Sequence, residues 1–292
     1  MPKIVVMLSI VFLLIGCAAQ QEDIQYLIRL DDMGMCHSVN MAVEQMAQTG
    51  LPFSTSVMFA CTWWEEAVEI LKKYPHVSVG IHLTLNAEWT GYRWGPILGA
   101  KAVPSLVDSV GTFYPSRTKL FEKNPDVGEI ERELRAQIDR AMGSGLQIDY
   151  LDYHMGAAVQ TLELREMVEG LAAEYGLAMS GYYNEIYSNI TYGTEIGSKS
   201  DSLLAHVSRM GEGLHMQVVH VGLDEPEMQA MKDLNTFGLK NMSAHREDEL
   251  KAIVNPGLKQ LIENRGIELV TYGSLVREHG LERMTRPEID EY

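Results

Sequence analysis

The chain has 292 residues, 46% hydrophobic and 22% charged, with 24 Lys and Arg against 40 Asp and Glu and a formal charge of −16. That composition excludes a disordered chain and argues against a nucleic-acid partner, because a surplus of acid repels phosphate backbones. The length suits one large α/β domain with a full core, or two small ones.

At the amino end, Lys3 precedes an apolar run from Ile4 to Ile15 that only Ser9 interrupts, and Gly16-Cys17 follow. This has the charged, apolar and small-residue regions of a secretory signal, and it is too short to span a bilayer comfortably. Leu14-Ile15-Gly16-Cys17 resembles the lipobox of bacterial lipoproteins, which implies that Cys17 is lipidated and becomes the mature amino terminus. Residues 1–16 are then a lipoprotein signal peptide, residues 17–25 a short polar tether, and residues 26–292 a single domain. Without the signal the balance is 23 bases against 40 acids, or −17. Two cysteines remain, Cys36 and Cys61, and both read as buried thiols.

The first predicted strand, Tyr26-Leu27-Ile28-Arg29-Leu30, ends abruptly in Asp31-Asp32-Met33-Gly34. Regular strand alternation would send Asp31 and Asp32 to opposite faces, so they are expected to do different jobs. Ser38 or Asn40 is a suitable cap for a helix running to about Gln48, with Gly50 stopping it. A strand over Ser54–Phe59, a helix over Trp63–Lys73 and a strand over His76–Leu83 follow, the last carrying His82 near its end. Strand and helix alternating at this spacing argue for βαβ units and a parallel sheet.

Residues 86–125 break the rhythm as a long loop rich in Gly, Pro and aromatics: Trp89, Tyr92, Trp94, Phe113 and Tyr114. Such a length suggests a functional loop, and its rings are expected either to stack on sugar faces or to cover the barrel end. Ile130, Leu134, Ile138 and Met142 mark a helix from Asp126 to Met142. The strand Ile148–His154 places Asp152 and His154 on one face. A helix over Leu162–Tyr175, a short strand over Leu177–Ser180 and a second polar and aromatic loop over residues 182–200 come next. The remainder reads as a helix over Asp201–Met210, a strand over Leu214–His220, a charged helix from about Arg246 to Asn264, and a last strand over Glu268–Thr271. The expected fold class is α/β with about seven parallel strands, and there is no internal repeat or low-complexity linker.

Asp31 and Asp32, His82, His154 and His220 each close a predicted strand, and in a (β/α) barrel those ends gather at one face. Two histidines and a carboxylate suit a divalent metal holding water, with a second carboxylate to take the water's proton and a further histidine to protonate a leaving group. His37, His76, His206, His215, His245 and His279 lack that placement and read as structural. No G-x-S-x-G or G-x-G-x-x-G occurs, so neither a serine elbow nor a dinucleotide loop is expected.

With these residues in view, the chain resembles the YdjC-like carbohydrate deacetylases, which include chitooligosaccharide deacetylases. The matching motifs are Asp31-Asp32-Met33-Gly34, Gly80-Ile81-His82-Leu83-Thr84-Leu85, Asp152-Tyr153-His154 and His220-Val221-Gly222, together with the Pro104–Asp108 and Gly111–Phe113 stretch, in order over residues 26–275. The resemblance implies a (β/α) barrel, complete or incomplete, in which Asp32, His82 and His154 hold the metal (magnesium or zinc). It further implies that Asp31 is the general base and His220 the acid, while strand period two offers Asp152 and His154 as a ligand and its orienting neighbour. Two positions depart from the family pattern: Gly156, where a second histidine is frequent, and Val221, where the family has proline.

The implied reaction is hydrolysis of N-acetyl groups from amino sugars or acetylated oligosaccharides, at the cell envelope, with membrane contact through the lipid anchor only. Two other functions compete with it, a metallohydrolase (amidase or esterase) on a non-sugar substrate and a non-catalytic glycan-binding lipoprotein. The sequence does not address oligomeric state.

Overall fold

In the computed structural model, which describes residues 24–288, the organising element is the strand β1 (Ile24–Met33). The others follow as α1 (His37–Gln48), β2 (Phe53–Val57), α2 (Trp64–Leu71), β3 (Val77–Leu83), α3 (Arg117–Phe121), α4 (Val127–Met142), β4 (Tyr150–Tyr153), α5 (Leu162–Tyr175), β5 (Ala178–Met179) and β6 (Ile186–Ser188). The last third contributes α6 (Lys199–Ser208), β7 (Gly213–Val219), α7 (Pro226–Ala230), α8 (Met242–Ile253), α9 (Pro256–Arg265), β8 (Glu268–Val270) and α10 (Tyr272–His279).

All described strand pairs are parallel, in the order β5-β4-β3-β2-β1-β7-β6, with β8 also paired to β1. One edge of β1 is taken by β7 from Ile24 to Leu30. The other edge is shared, with β8 at Gln25–Leu27 and β2 from Arg29 onward. The sheet curls into an open (β/α) barrel, because no pairing joins β5 to β6 among the described residues.

Every residue of β2 and β3 is buried, as expected for parallel strands covered on both faces. Alternation along β1 divides its side chains. Tyr26, Ile28 and Leu30 belong to the large core beneath the helices, whereas Leu27 joins Tyr150, Met216, Val218, Val270 and Tyr272 in a smaller cluster inside the curl. Arg29 and Asp31 continue that inner face. Inside the curl the rings of Tyr150 and Tyr272 pack 4.2 Å apart, and Tyr150 lies so close to β3 that a Cβ on Gly80 would sit 2.3 Å from its ring. Only glycine fits there, which accounts for the glycine two residues before His82.

The helices start and stop for local reasons. Asp126 and Thr161 cap α4 and α5 by accepting from the backbone N–H three residues on, and Gly176 ends α5 at φ 67°. Some sequence expectations are corrected. The N-cap of α1 is Cys36, because Ser38 is engaged by Glu227 and the Asn40 side chain bridges Gly34 N–H to Glu66. The expected helix over Arg246–Asn264 is two helices, since Pro256 cannot donate an N–H in a helix interior and instead opens α9 behind its cap Asn255. The second loop contains the short strand β6, the eighth in the sheet.

The first long loop keeps its aromatic rings inside. Trp89, Trp94 and Phe113 are buried, with the indole N–H groups of the two tryptophans donating to Met35 Sδ and the Asn86 carbonyl. These three rings pack the end of the barrel and are not free to stack on sugar. Cys36 and Cys61 are free and buried.

Candidate active site

The functional side chains meet because every strand that carries one points its C-terminal end to the same rim. Asp31, Asp32, His82, Asp152, His154 and His220 all line one cleft of about 790 Å³. Cys17 lies outside the described residues.

Asp31 and Asp32 face the same cleft instead of opposite sides, and the backbone shows why. The β1–β2 register slips between Leu30 and Met33, and Asp32 sits at φ 69°. This bulge turns Asp32 back toward the side that Asp31 already faces. A left-handed conformation at a residue other than glycine is strained, and it is tolerated best by Asp and Asn.

Around Asp32 the donor atoms converge as a metal-ligand set would. Asp32 Oδ1 is buried and accepts no hydrogen bond. It lies 3.4 Å from His82 Nε2 and 3.3 Å from His154 Nδ1, and those two nitrogens are 3.3 Å apart. Each imidazole is fixed from its far side: His82 Nδ1 is 2.8 Å from Asp152 Oδ2, and His154 Nε2 is 3.0 Å from Glu88 Oε2. The carboxylates therefore take the N–H of each ring and turn its lone pair inward, so two nitrogen lone pairs and one orphan oxygen converge. A triangle with these edges has its corners about 1.9 Å from its centre, close to the ~2.0–2.2 Å of nitrogen and oxygen ligands to zinc. The residues fit a divalent cation. A second grouping, Asp31, His82 and Asp152, is also close enough to hold an ion. There, however, both carboxyl groups are already engaged by Arg29.

Charge supports the same assignment. The buried carboxyl groups of Asp31, Asp32, Glu88 and Asp152 face the guanidinium groups of Arg29 and Arg246, leaving a formal −2 with neutral imidazoles, which one divalent cation would balance. Burial alone would raise the pKa of Asp32, but Arg246 and the two imidazoles hold it well below the usual carboxylate range. Burial likewise opposes charge on the histidines and is outweighed. Asp152 lifts His82 to about 9, and Glu88 with Asp32 lifts His154 to about 10. Asp152 is itself lowered to about 2, against its burial, chiefly by Arg29.

Arg29 grips Asp31 with two parallel bonds of 2.7 and 2.8 Å and reaches Asp152 at 3.0 Å. It thereby joins one carboxylate of the cleft to the support of a proposed ligand. Arg246, from α8, holds Asp32 Oδ2 at 2.6 Å, which leaves only Oδ1 to face the histidines. His220 stands at the end of β7 with Nε2 3.9 Å from Asp31 Oδ2. Of the loop residues, Glu185 lines the cleft, while Tyr182 is buried against Arg165 and Glu169. Sequence reasoning missed Arg29, Glu88 and Arg246. A signal existed for Arg29 alone, a cation inside an apolar strand two residues before a carboxylate.

An open parallel barrel with a His-His-Asp cluster at the C-terminal ends of its strands defines a class of site suited to metal-assisted hydrolysis. The model of the YdjC-like proteins matches residues 26–264, and the chain belongs to that family. A carbohydrate deacetylase of Brevibacillus brevis is 28% identical over 258 residues, covering 85% of this chain and 98% of that protein. A carbohydrate deacetylase of Enterococcus faecalis is 27% identical over 261 residues, covering 85% and 97%. Among solved structures, a protein from Enterococcus faecalis V583 superposes with a TM-score of 0.71 at 23% identity, covering 87% of this chain and 99% of that one. The Xyl-CE4 domain of a xylanase from the hindgut metagenome of Trinervitermes trinervoides gives 0.51 at 10% identity, covering 88% and 92%. Both structures speak to the fold alone.

Proposed function

We propose that the protein is a metal-dependent carbohydrate deacetylase that hydrolyses the N-acetyl group of amino sugars. The observation that carries this reading is the convergence of Asp32 Oδ1, His82 Nε2 and His154 Nδ1 beside Asp31 and His220. The relatives named carbohydrate deacetylases supply the substrate class. Asp32, His82 and His154 would hold a divalent ion, zinc or magnesium, which when bound supplies a Lewis acid for the acetyl oxygen and lowers the pKa of water.

The chain's own groups then divide the proton work. Asp31 is oriented by Arg29 and takes the proton of the attacking water, whose oxygen bonds to the acetyl carbon. His220, beside Asp31, gives a proton to the sugar nitrogen as the C–N bond breaks, so acetate and a free amine leave. Asp152 and Glu88 keep the two imidazoles in the tautomers that face the ion.

The same reading places the protein at the bacterial cell envelope, anchored by lipid on Cys17. Its support is the Lys3–Cys17 segment. Acetate release tests the activity. N-acetylglucosamine oligosaccharides should yield acetate, and both Asp31→Asn and His82→Ala should abolish it. Release only from non-sugar N-acetyl amides would reassign the substrate, and full activity in His82→Ala would remove the mechanism.

A further inference from the structure

His220 is the least restrained member of the site. Its side chain is 22% exposed, its Nδ1 has no partner, and Asp31 at 3.9 Å is beyond a direct hydrogen bond. The ring touches Tyr192 edge-on at 5.4 Å. What fixes the imidazole must therefore act through the main chain. Val221 follows it, and unlike a proline it does not restrict the backbone of the preceding residue.

The main chain is held by Glu249. Its Oε2 accepts the His220 backbone N–H at 3.2 Å, and its Oε1 accepts the hydroxyl of Thr191, the residue before Tyr192. Glu249, Thr191 and Lys199 are buried, and the Lys199 ammonium donates to the carbonyls of Thr191 and Tyr192. Among the described residues no direct salt bridge reaches Glu249; the buried Lys199 ammonium lies near enough to attract it, and its two oxygens are taken by the two loops it ties together. α8 approaches closely enough at this point that a Cβ on Gly222 would lie 3.2 Å from Arg246 Cβ. Arg246 and Glu249 stand three apart on α8, so neighbouring side chains of one helix hold the Asp32 carboxylate and the His220 backbone.

We propose that Glu249 is a positioning residue for proton transfer by His220, keeping the imidazole beside Asp31 by joining its backbone to the Tyr192 loop. The inference rests on the deacetylase reading and on His220 as the proton donor. The test compares the full chain, loaded with zinc, with its Glu249→Ala, Glu249→Gln and His220→Ala variants on two substrates. The N-acetylglucosamine trimer has an amine leaving group that needs a proton, whereas 4-nitrophenyl acetate has a phenolate that does not.

In Glu249→Ala, kcat on the trimer should fall by ~10–100-fold, within the range of a general acid's contribution, with KM little changed and the ester rate down less than about threefold. Glu249→Gln keeps an acceptor for the His220 N–H and should recover most of the loss. His220→Ala should show the same amide-over-ester pattern. Equal losses on both substrates in Glu249→Ala, or a glutamine variant no better than alanine, would overturn the proposal. Hydrogen exchange at the His220 amide gives a readout independent of turnover. It should be at least about tenfold faster in Glu249→Ala, and an unchanged rate would also overturn the proposal. A parent inactive on the trimer, or a fully active His220→Ala, would remove the underlying reading and the positioning role with it, while the exchange rate still decides the contact.

Discussion

Arg29 offers the sharpest test of how the site is built. It is buried within β1 and joins Asp31 to Asp152, and both carboxyl groups are also buried. Arg29→Met keeps the approximate volume and removes the charge, leaving both carboxylates unpaired in the barrel. Breaking a buried ion pair by removing one partner costs about 3–5 kcal/mol. At roughly 2–4 °C per kcal/mol for a domain of this size, the melting temperature should drop by about 6–20 °C.

The loss should depend on pH in a definite direction. Asp152 is lowered to about 2, so the stability it contributes is present above its unfolded value near 4 and is lost as pH falls through about 2. Without Arg29 the carboxyl protonates at higher pH, so the gap between variant and parent should narrow on going from pH 7 to pH 5. Adding Asp31→Asn and Asp152→Asn to Arg29→Met removes the stranded charges and should restore part of the loss. Thermal unfolding followed by circular dichroism measures all three effects. A fall of less than about 2 °C, or a triple variant no more stable than the single one, would refute the charge argument.

Three further outcomes follow from the same geometry. Metal-free, His82 and His154 keep their protons to about 9 and about 10. A pKa raised above the unfolded value near 6.5 gives stability that is complete below that value and lost through the folded one. Melting of the metal-free protein should therefore fall between pH 7 and pH 10, and a flat profile would contradict the assignment. Zinc binding at pH 7 should release about two protons, read by calorimetry in two buffers of different ionisation enthalpy. Glu88→Gln removes the carboxylate that orients His154 and should weaken zinc affinity by about 10–100-fold, so unchanged affinity would leave Glu88 without that role.

The strand ends were legible in the sequence because apolar runs stopping at Asp or His are local signals. Period two put Asp152 and His154 on one side, and both do face His82. The same rule failed at Asp32, where a bulge and a positive φ override alternation without any mark in the residue types. β6 was hidden because Ile186, Tyr187 and Ser188 form a three-residue edge strand with two of its side chains exposed, carrying no hydrophobic pattern. Pro256 was a visible break that the run of helix formers masked. Glu88 and Arg246 reach the site from a loop and a distant helix, so their roles exist only in three dimensions. The aromatic loop left two readings open, because ring content says nothing about which way the rings face, and burial of Trp89, Trp94 and Phe113 selects the one in which they cover the barrel end.

The central claim is that Asp32, His82 and His154 form a divalent-metal site. Metal content of the purified protein beside His82→Ala, before and after soaking with zinc or magnesium, tests it most directly. The account predicts about one equivalent of metal in the parent and its loss in the variant. No metal in either protein after soaking, or equal metal in both, would contradict it.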